Sequence, residues 1–322
     1  MRVLVTGISG FAGPWVARAL RDAGHDVHGL VRGAGPWPRL AELGLPATAL
    51  HRGDLADGIG GLVRALVPDA VVHLAGLSFV PTAERDPGAA YRTNLGGTLA
   101  VLGALRSEAP RARLLVVSSS DVYGAVEPAD LPVSEDTPLR PVSIYGASKA
   151  AADLAAAQWA RAYGLDVVRA RPFNHTGPGQ DAAYVCSGLA RQVALVEAGR
   201  QPPVLRVGNV DPVRDFSDVR DVAAGYVVLL ERGTRGAAYN LCSGEGVSIA
   251  EVVALLRTHA RVPVRVHSDP ALRRRLDVER VVGSHARAEA DTGWRPRIAL
   301  AHTLGDVLDD WRRRVAAEAP EK

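Results

Sequence analysis

Tyr145 and Lys149 are the residues most able to do chemistry in this chain of 322 residues. They stand four apart in Ser143-Ile144-Tyr145-Gly146-Ala147-Ser148-Lys149, ahead of an Ala-rich helical stretch. That spacing puts both side chains on one helix face. An ammonium beside a phenol stabilises the phenolate, so Lys149 is expected to lower the Tyr145 pKa. Such a phenol can act as acid or base at a carbonyl or hydroxyl group. Composition also singles out Lys149: the chain has only two lysines, Lys149 and Lys322, among 38 basic residues. A position that keeps lysine against so strong an arginine bias calls for a compact ammonium. A second feature, Ser118-Ser119-Ser120-Asp121-Val122-Tyr123-Gly124, lies at the end of an apolar run. A serine there can hydrogen-bond a substrate oxygen, or it can be an ordinary strand exit.

These residues need a scaffold. Val3 to Thr6, Val27 to Val31, Ala70 to Leu74, Leu114 to Ser118 and Val167 to Ala170 read as buried strands. Trp15 to Ala23, Leu62 to Leu66 and Ala90 to Leu105 between them carry helical spacing. This alternation predicts an α/β fold, a Rossmann-type doubly wound parallel sheet. Pro and Gly become frequent after Arg171. A smaller α/β substrate-binding domain is expected from there. The expected division is 1–172 for dinucleotide binding and 173–322 for the substrate, with 212–242 returning to the first part.

Gly7, Gly10 and Gly13 follow the first strand and open the first helix. Glycines so placed let a backbone approach a pyrophosphate, with the helix N-terminus facing it. The second strand ends in Arg32, where an NAD-preferring fold places an acid. A guanidinium suits a 2′-phosphate, so NADP(H) is expected. Asp54 with Leu55 can reach the adenine, or Asp54 can cap the next helix.

The glycine pattern, the serine run and Tyr-x-x-x-Lys together resemble the extended short-chain dehydrogenases/reductases. His73-Leu74-Ala75, Asn94-Leu95-Gly96-Gly97-Thr98, Arg171 to Gln180 and Val213 to Asp221 extend the resemblance over nearly the whole chain. Within that family, the segments Phe173 to Gln180, Val207 to Asp221, Tyr239 to Gly244 and Thr292 to Pro296 are most similar to GDP-4-keto-6-deoxy-D-mannose reductases. The likeness extends to the related GDP-mannose 4,6-dehydratases.

The resemblance implies Ser119, Tyr145 and Lys149 as catalytic residues. It implies a cofactor site of Gly7, Gly10, Phe11, Gly13, Arg32, Asp54, Leu55, Leu74, Ala75, Tyr145, Lys149, Phe173 and His175. Ser119, Asn174, Arg214, Arg274 and Asp277 would bind the nucleotide-diphosphate sugar. Here Arg275 follows Arg274 where relatives often have proline. The implied reaction is NADPH-dependent reduction of a C4 ketone, converting GDP-4-keto-6-deoxy-D-mannose to GDP-D-rhamnose. The alternatives are a 4,6-dehydratase, a 4-epimerase or a non-catalytic NADP-binding module. The resemblance also implies a homodimer through Ala90 to Leu105 and Ala150 to Tyr163, segments that could equally pack within one chain.

The remaining residues argue for a narrower set of partners. No apolar run reaches the length of a membrane span. No leader pattern opens the chain, and Cys186 and Cys242 read as free thiols, so a cytoplasmic setting is expected. The net charge of +3 comes from scattered arginines, which argues against nucleic acid. His25, His28, His51 and His73 show no ligand spacing, and no metal site is expected.

Overall fold

The computed structural model describes residues 1–272 and 278–318. Arg274 and Asp277 lie outside the described residues. Thirteen strands are described. They are β1 (Arg2–Thr6), β2 (Asp26–Val31), β3 (Leu50–Arg52), β4 (Ala70–His73), β5 (Arg113–Val117), β6 (Val167–Pro172), β7 (Asn174–Thr176), β8 (Val204–Val207), β9 (Val213–Asp218), β10 (Ala238–Leu241), β11 (Gly246–Ser248), β12 (Arg265–Ser268) and β13 (Arg280–Val281). Seven of them form one sheet in the order β10-β6-β5-β4-β1-β2-β3. Every pairing in it is parallel. This is the Rossmann-type doubly wound sheet that the strand–helix alternation predicts.

Both faces of the sheet are covered, and the sequence shows why. Val3, Val5, Ala70 and Val72 point to one face, where helices Gly13–Asp22 and Val219–Arg232 pack. Leu4, Val71, Leu114 and Val116 point to the other, against helices Gly97–Glu108 and Ile144–Tyr163. Alternating side chains buried on both faces produce continuous apolar strands. Two short elements escaped that pattern. β3 has three residues, and β10 comes after the Pro- and Gly-rich region begins, yet joins the large sheet beside β6. The expected continuous helix from Ala90 to Leu105 is instead Pro87–Tyr91, a π-helical turn Arg92–Gly96, and Gly97–Glu108. Asn94 occupies that wide turn and is buried.

β7, β9, β11 and β13 form a second sheet, and β8 pairs β12 in a third. Their core includes Leu189, Val193, Leu205, Val252, Leu308 and Trp311. Between the second-half helices and β9, buried carboxylates act as ties. Asp215 accepts from Ser243 N and Oγ, Gly244 N and Gly283 N, and Asp221 accepts from Arg297 N and Ile298 N.

The strand order reverses between β1 and β4, whose last residues Thr6 and His73 are register partners. Ligands of open parallel sheets bind beyond the strand ends at such a point. Here the point is fixed by a buried chain of hydrogen bonds. Thr6 Oγ1 is 2.7 Å from His73 Nδ1, and His73 Nε2 is 3.1 Å from Thr98 Oγ1. Thr98 Oγ1 in turn donates to Asn94 O at 2.7 Å. The Thr98 hydroxyl therefore accepts from Nε2–H, leaving Nδ1 as an acceptor on a neutral ring. Burial, helped by the Lys149 ammonium, pushes His73 down to about 3. In the unfolded chain a histidine titrates near 6.5. On acidification the unfolded state thus takes the proton first, and stability falls as pH drops below about 6.5. Urea unfolding at a series of pH values should show this as a loss approaching ~1.4 kcal/mol per pH unit from His73. A His73→Gln variant should show a shallower fall; an unchanged slope would refute the neutral relay.

Candidate functional site

The carboxyl ends of the large sheet open into a cavity of about 1420 Å³. That exceeds the usual ~300–1,000 Å³ of a single small-ligand pocket, and so gives room for two ligands. All described residues of the expected site line it: Gly7, Gly10, Phe11, Gly13, Arg32, Asp54, Leu55, Leu74, Ala75, Ser119, Tyr145, Lys149, Phe173, Asn174, His175 and Arg214.

One end is built from the glycine loop. Gly7 has φ +73°, and a Cβ there would sit 2.7 Å from Ala75 N. A side chain on Gly13 would collide with the Ile8 carbonyl. The helix Gly13–Asp22 starts with no side-chain cap. Its first N–H groups and its dipole are left for an anion. This cradle fits a dinucleotide pyrophosphate.

Arg32 and Asp54 lie at the adjoining rim, with Arg32 Nη1 3.8 Å from Asp54 Oδ2. Their side chains are 76% and 44% exposed, so this ion pair is weak. Asp54 Oδ1 accepts from Ala56 N at 3.0 Å. It is therefore a helix cap, and its second oxygen faces Arg32.

At the other end, the Tyr145 helix is capped twice. Gly146 N donates to Ser143 Oγ at 3.0 Å, and Ile144 N to Glu84 Oε1 at 2.9 Å. Lys149 Nζ donates to Val117 O at 2.7 Å. Burial pulls Lys149 down to about 8, against the Asp153 carboxylate, which raises it. Tyr145 differs from the expectation. Burial and the Asp121 carboxylate push its pKa well above the ordinary phenol value. A hydrogen bond from Ser119 opposes this only in part. The Lys149 amine is turned to the Val117 carbonyl, and the removal of Tyr145 from water outweighs any help it gives. The site holds a protonated phenol. Ser119 Oγ also lies 3.3 Å from Asp121 Oδ2.

His175 Nδ1 is 3.0 Å from Phe173 O, and the ring stacks on Phe11 at 6.0 Å and 13°. Burial lowers its pKa. Phe173 lines the cavity. Its own ring is buried in a cluster with Tyr123 and Cys242, below Gly283. Arg214 Nη1 donates to Val213 O at 2.9 Å from the opposite wall.

Several lining residues were not singled out from sequence: Ser78, Glu84, Tyr184 and Tyr226. Tyr184 donates to or accepts from Ser78 across the cavity at 2.8 Å, and its ring meets Phe79 edge-on. No motif points to Tyr184 or Tyr226. Only the fold brings them here. Among the described residues, no cluster of His, Cys, Asp and Glu could hold a metal, and no helix is long and apolar enough to cross a membrane.

A family model described as GDP-mannose 4,6 dehydratase matches residues 4–307. The chain belongs to that family. Within the family it is 43% identical to the GDP-6-deoxy-D-mannose reductase of Pseudomonas aeruginosa, over 98% of this chain and 99% of the relative. It is 33% identical to the UDP-glucose 4-epimerase of Streptomyces lividans, over 96% and 95% of the two chains. A solved structure of RMD from Pseudomonas aeruginosa complexed with NADPH superposes with a TM-score of 0.83. That match has 39% identity and covers 98% of this chain and 100% of that one.

A family site with a buried phenol and a buried amine makes a spectroscopic prediction. The difference in phenolate absorbance between the protein and Tyr145→Phe should show no titration step near neutral pH. A Tyr145 step at or below about pH 8 would contradict the burial-driven rise.

Proposed function

We propose that this protein is an NADPH-dependent GDP-4-keto-6-deoxy-D-mannose reductase, forming GDP-D-rhamnose. The observation that carries the reading is the 43% identity, end to end, with a GDP-6-deoxy-D-mannose reductase. The glycine cradle and Arg32, with no acid at the end of β2, support NADPH as cofactor. When bound, NADPH supplies the hydride that reduces C4.

The chain supplies the rest. Tyr145 gives its phenolic proton to the C4 oxygen as negative charge develops there. A phenol kept protonated by burial suits the donor role in reduction. Ser119, within hydrogen-bond reach of Tyr145, turns its single hydroxyl proton to the same oxygen. Donors fixed in advance around a growing charge are usually the largest catalytic contribution. Lys149, held by Val117 O and kept charged by Asp153 against the cost of burial, stands one helical turn from Tyr145, where its cation offsets the charge that proton donation leaves. Asn174 and Arg214 contact the sugar diphosphate. In this reading Arg274 and Asp277, outside the described residues, hold the nucleotide. The first part of the chain, 1–172 with the return at 212–242, binds the dinucleotide, and 173–322 binds the nucleotide sugar. Leu99 and Leu154, 37% and 57% exposed on neighbouring helices, support pairing with a second copy in a cytoplasmic enzyme.

The test supplies NADPH and GDP-4-keto-6-deoxy-D-mannose and follows the reduced-nicotinamide absorbance alongside product NMR. One NADPH should be lost per GDP-D-rhamnose formed. No NADPH loss with this ketone, together with conversion of a GDP-hexose bearing a C4 hydroxyl without net cofactor change, would instead indicate a dehydratase or epimerase. Tyr145→Phe should lower kcat by roughly 10²–10⁴, and near-normal turnover would remove Tyr145 as the acid. Arg32→Ala should raise the KM for NADPH about tenfold while leaving that for NADH little changed. Equal effects on both would dismiss 2′-phosphate recognition by Arg32.

A further inference from the structure

Side chains alternate along β9. Arg214 and Phe216 line the cavity, and Asp215 between them points the other way. Asp215 is 1% exposed and takes part in no step of the reaction as derived. Its carboxylate accepts four hydrogen bonds. Oδ1 takes Ser243 N at 2.7 Å and Ser243 Oγ at 2.6 Å, and Oδ2 takes Gly244 N at 2.9 Å and Gly283 N at 3.2 Å. A buried carboxylate is costly unless such donors surround it. An apolar side chain would serve packing alone at least as well. What the carboxylate adds is a fixed direction of attachment.

The donors identify what is joined. Ser243 and Gly244 come directly after the end of β10, the edge strand of the large sheet. Gly283 packs against the Phe173 ring, where a Cβ would stand 2.5 Å from it. Phe173 N in turn donates to Leu241 O, the last residue of β10, at 2.8 Å. Both partners thus belong to the rim of the large sheet. β9 itself lies in the second sheet, with Arg214 paired to Val247 of β11 and Val281 of β13. Asp215 therefore fastens the strand that carries Arg214 to the sheet that carries the cofactor cradle. A nucleotide sugar has limited reach between its diphosphate and C4. The spacing of Arg214 from Tyr145 must match that reach, and a misplacement of about 1 Å is costly.

We propose that Asp215 is a positioning residue for the sugar-diphosphate contact: by holding β9 to the edge of the large sheet, it sets how far Arg214 stands from the Tyr145 end of the cavity. This inference rests on the reductase reading above, in which Arg214 meets the diphosphate. Asp215→Asn tests it in the full chain. The amide keeps one acceptor oxygen and turns an NH₂ toward the remaining donors. Calorimetry should give a GDP Kd roughly three- to tenfold higher than for the unsubstituted protein, with the NADPH Kd unchanged. In an Arg214→Ala background the same substitution should change the GDP Kd by less than about twofold, because residues that act through one another are not additive. Should Asp215→Asn fail to fold, Ser243→Ala takes its place. It removes one donor, and its rise of roughly two- to threefold should likewise be lost with Arg214→Ala. An unchanged GDP Kd would overturn the proposal. So would an equal rise in the two backgrounds, or a parallel rise in the NADPH Kd, either of which marks a strand that is merely stabilised. Failure of the unsubstituted protein to bind GDP at all would sink the GDP-sugar reading itself, and this inference with it.

Discussion

The position of the Tyr145 helix depends on one buried carboxylate. Asp153 lies a further turn along the face that carries Tyr145 and Lys149, and its side chain is fully buried. Arg171 grips it with two hydrogen bonds of 2.9 and 3.0 Å, and Arg169 adds a third at 2.6 Å. Both arginines belong to β6, so the helix is locked to the sheet in rotation and in translation. Arg171 also donates to the Tyr123 hydroxyl and to Glu135 O. Tyr123 passes the connection on to Asn240 in β10 at 2.7 Å. Removing one partner of such a buried cluster typically costs about 3–5 kcal/mol, because the others are stranded without water. The Tyr145 phenol is therefore placed by an ion cluster that does not line the cavity.

A second network works from the other side. Asn94 Nδ2 donates to Ser148 Oγ at 2.8 Å, and Ser148 Oγ to Tyr145 O at 2.8 Å. The same Asn94 pairs with the main chain of Leu77 in both directions. The loop leaving β4 and the Tyr145 helix are thus held at one spacing. The wide π-helical turn at Arg92–Gly96 is what presents Asn94 to both, and such turns recur at functional sites.

Much of this was legible in the sequence because period and position carried it. The apolar runs marked five strands of the large sheet, and the glycine triplet marked the crevice. Spacing of four placed Tyr145 and Lys149 on one face. What sequence could not carry was environment. The local argument set an ammonium beside a phenol, whereas burial and Asp121 dominate in the fold. Nor does the motif Val213 to Asp221 separate its parts: Asp215, Asp218 and Asp221 are hydrogen-bonding ties, whereas Arg214 and Phe216 line the cavity. Tyr184 and Tyr226 belong to no recognisable pattern, since they become neighbours of Tyr145 only once distant segments close over the sheet.

The path of the chain after β6 limits how such a protein can be remade. It leaves the large sheet, builds part of the smaller half, returns to lay down β10 as the edge strand, and then departs again. The two halves are interleaved along the polypeptide. The chain after β6 cannot be exchanged as one contiguous cassette without also removing β10, the strand that hydrogen-bonds β6. New specificity in this scaffold is expected to arise by point changes lining the crevice, and shuffling of whole segments should yield mostly misfolded chimeras.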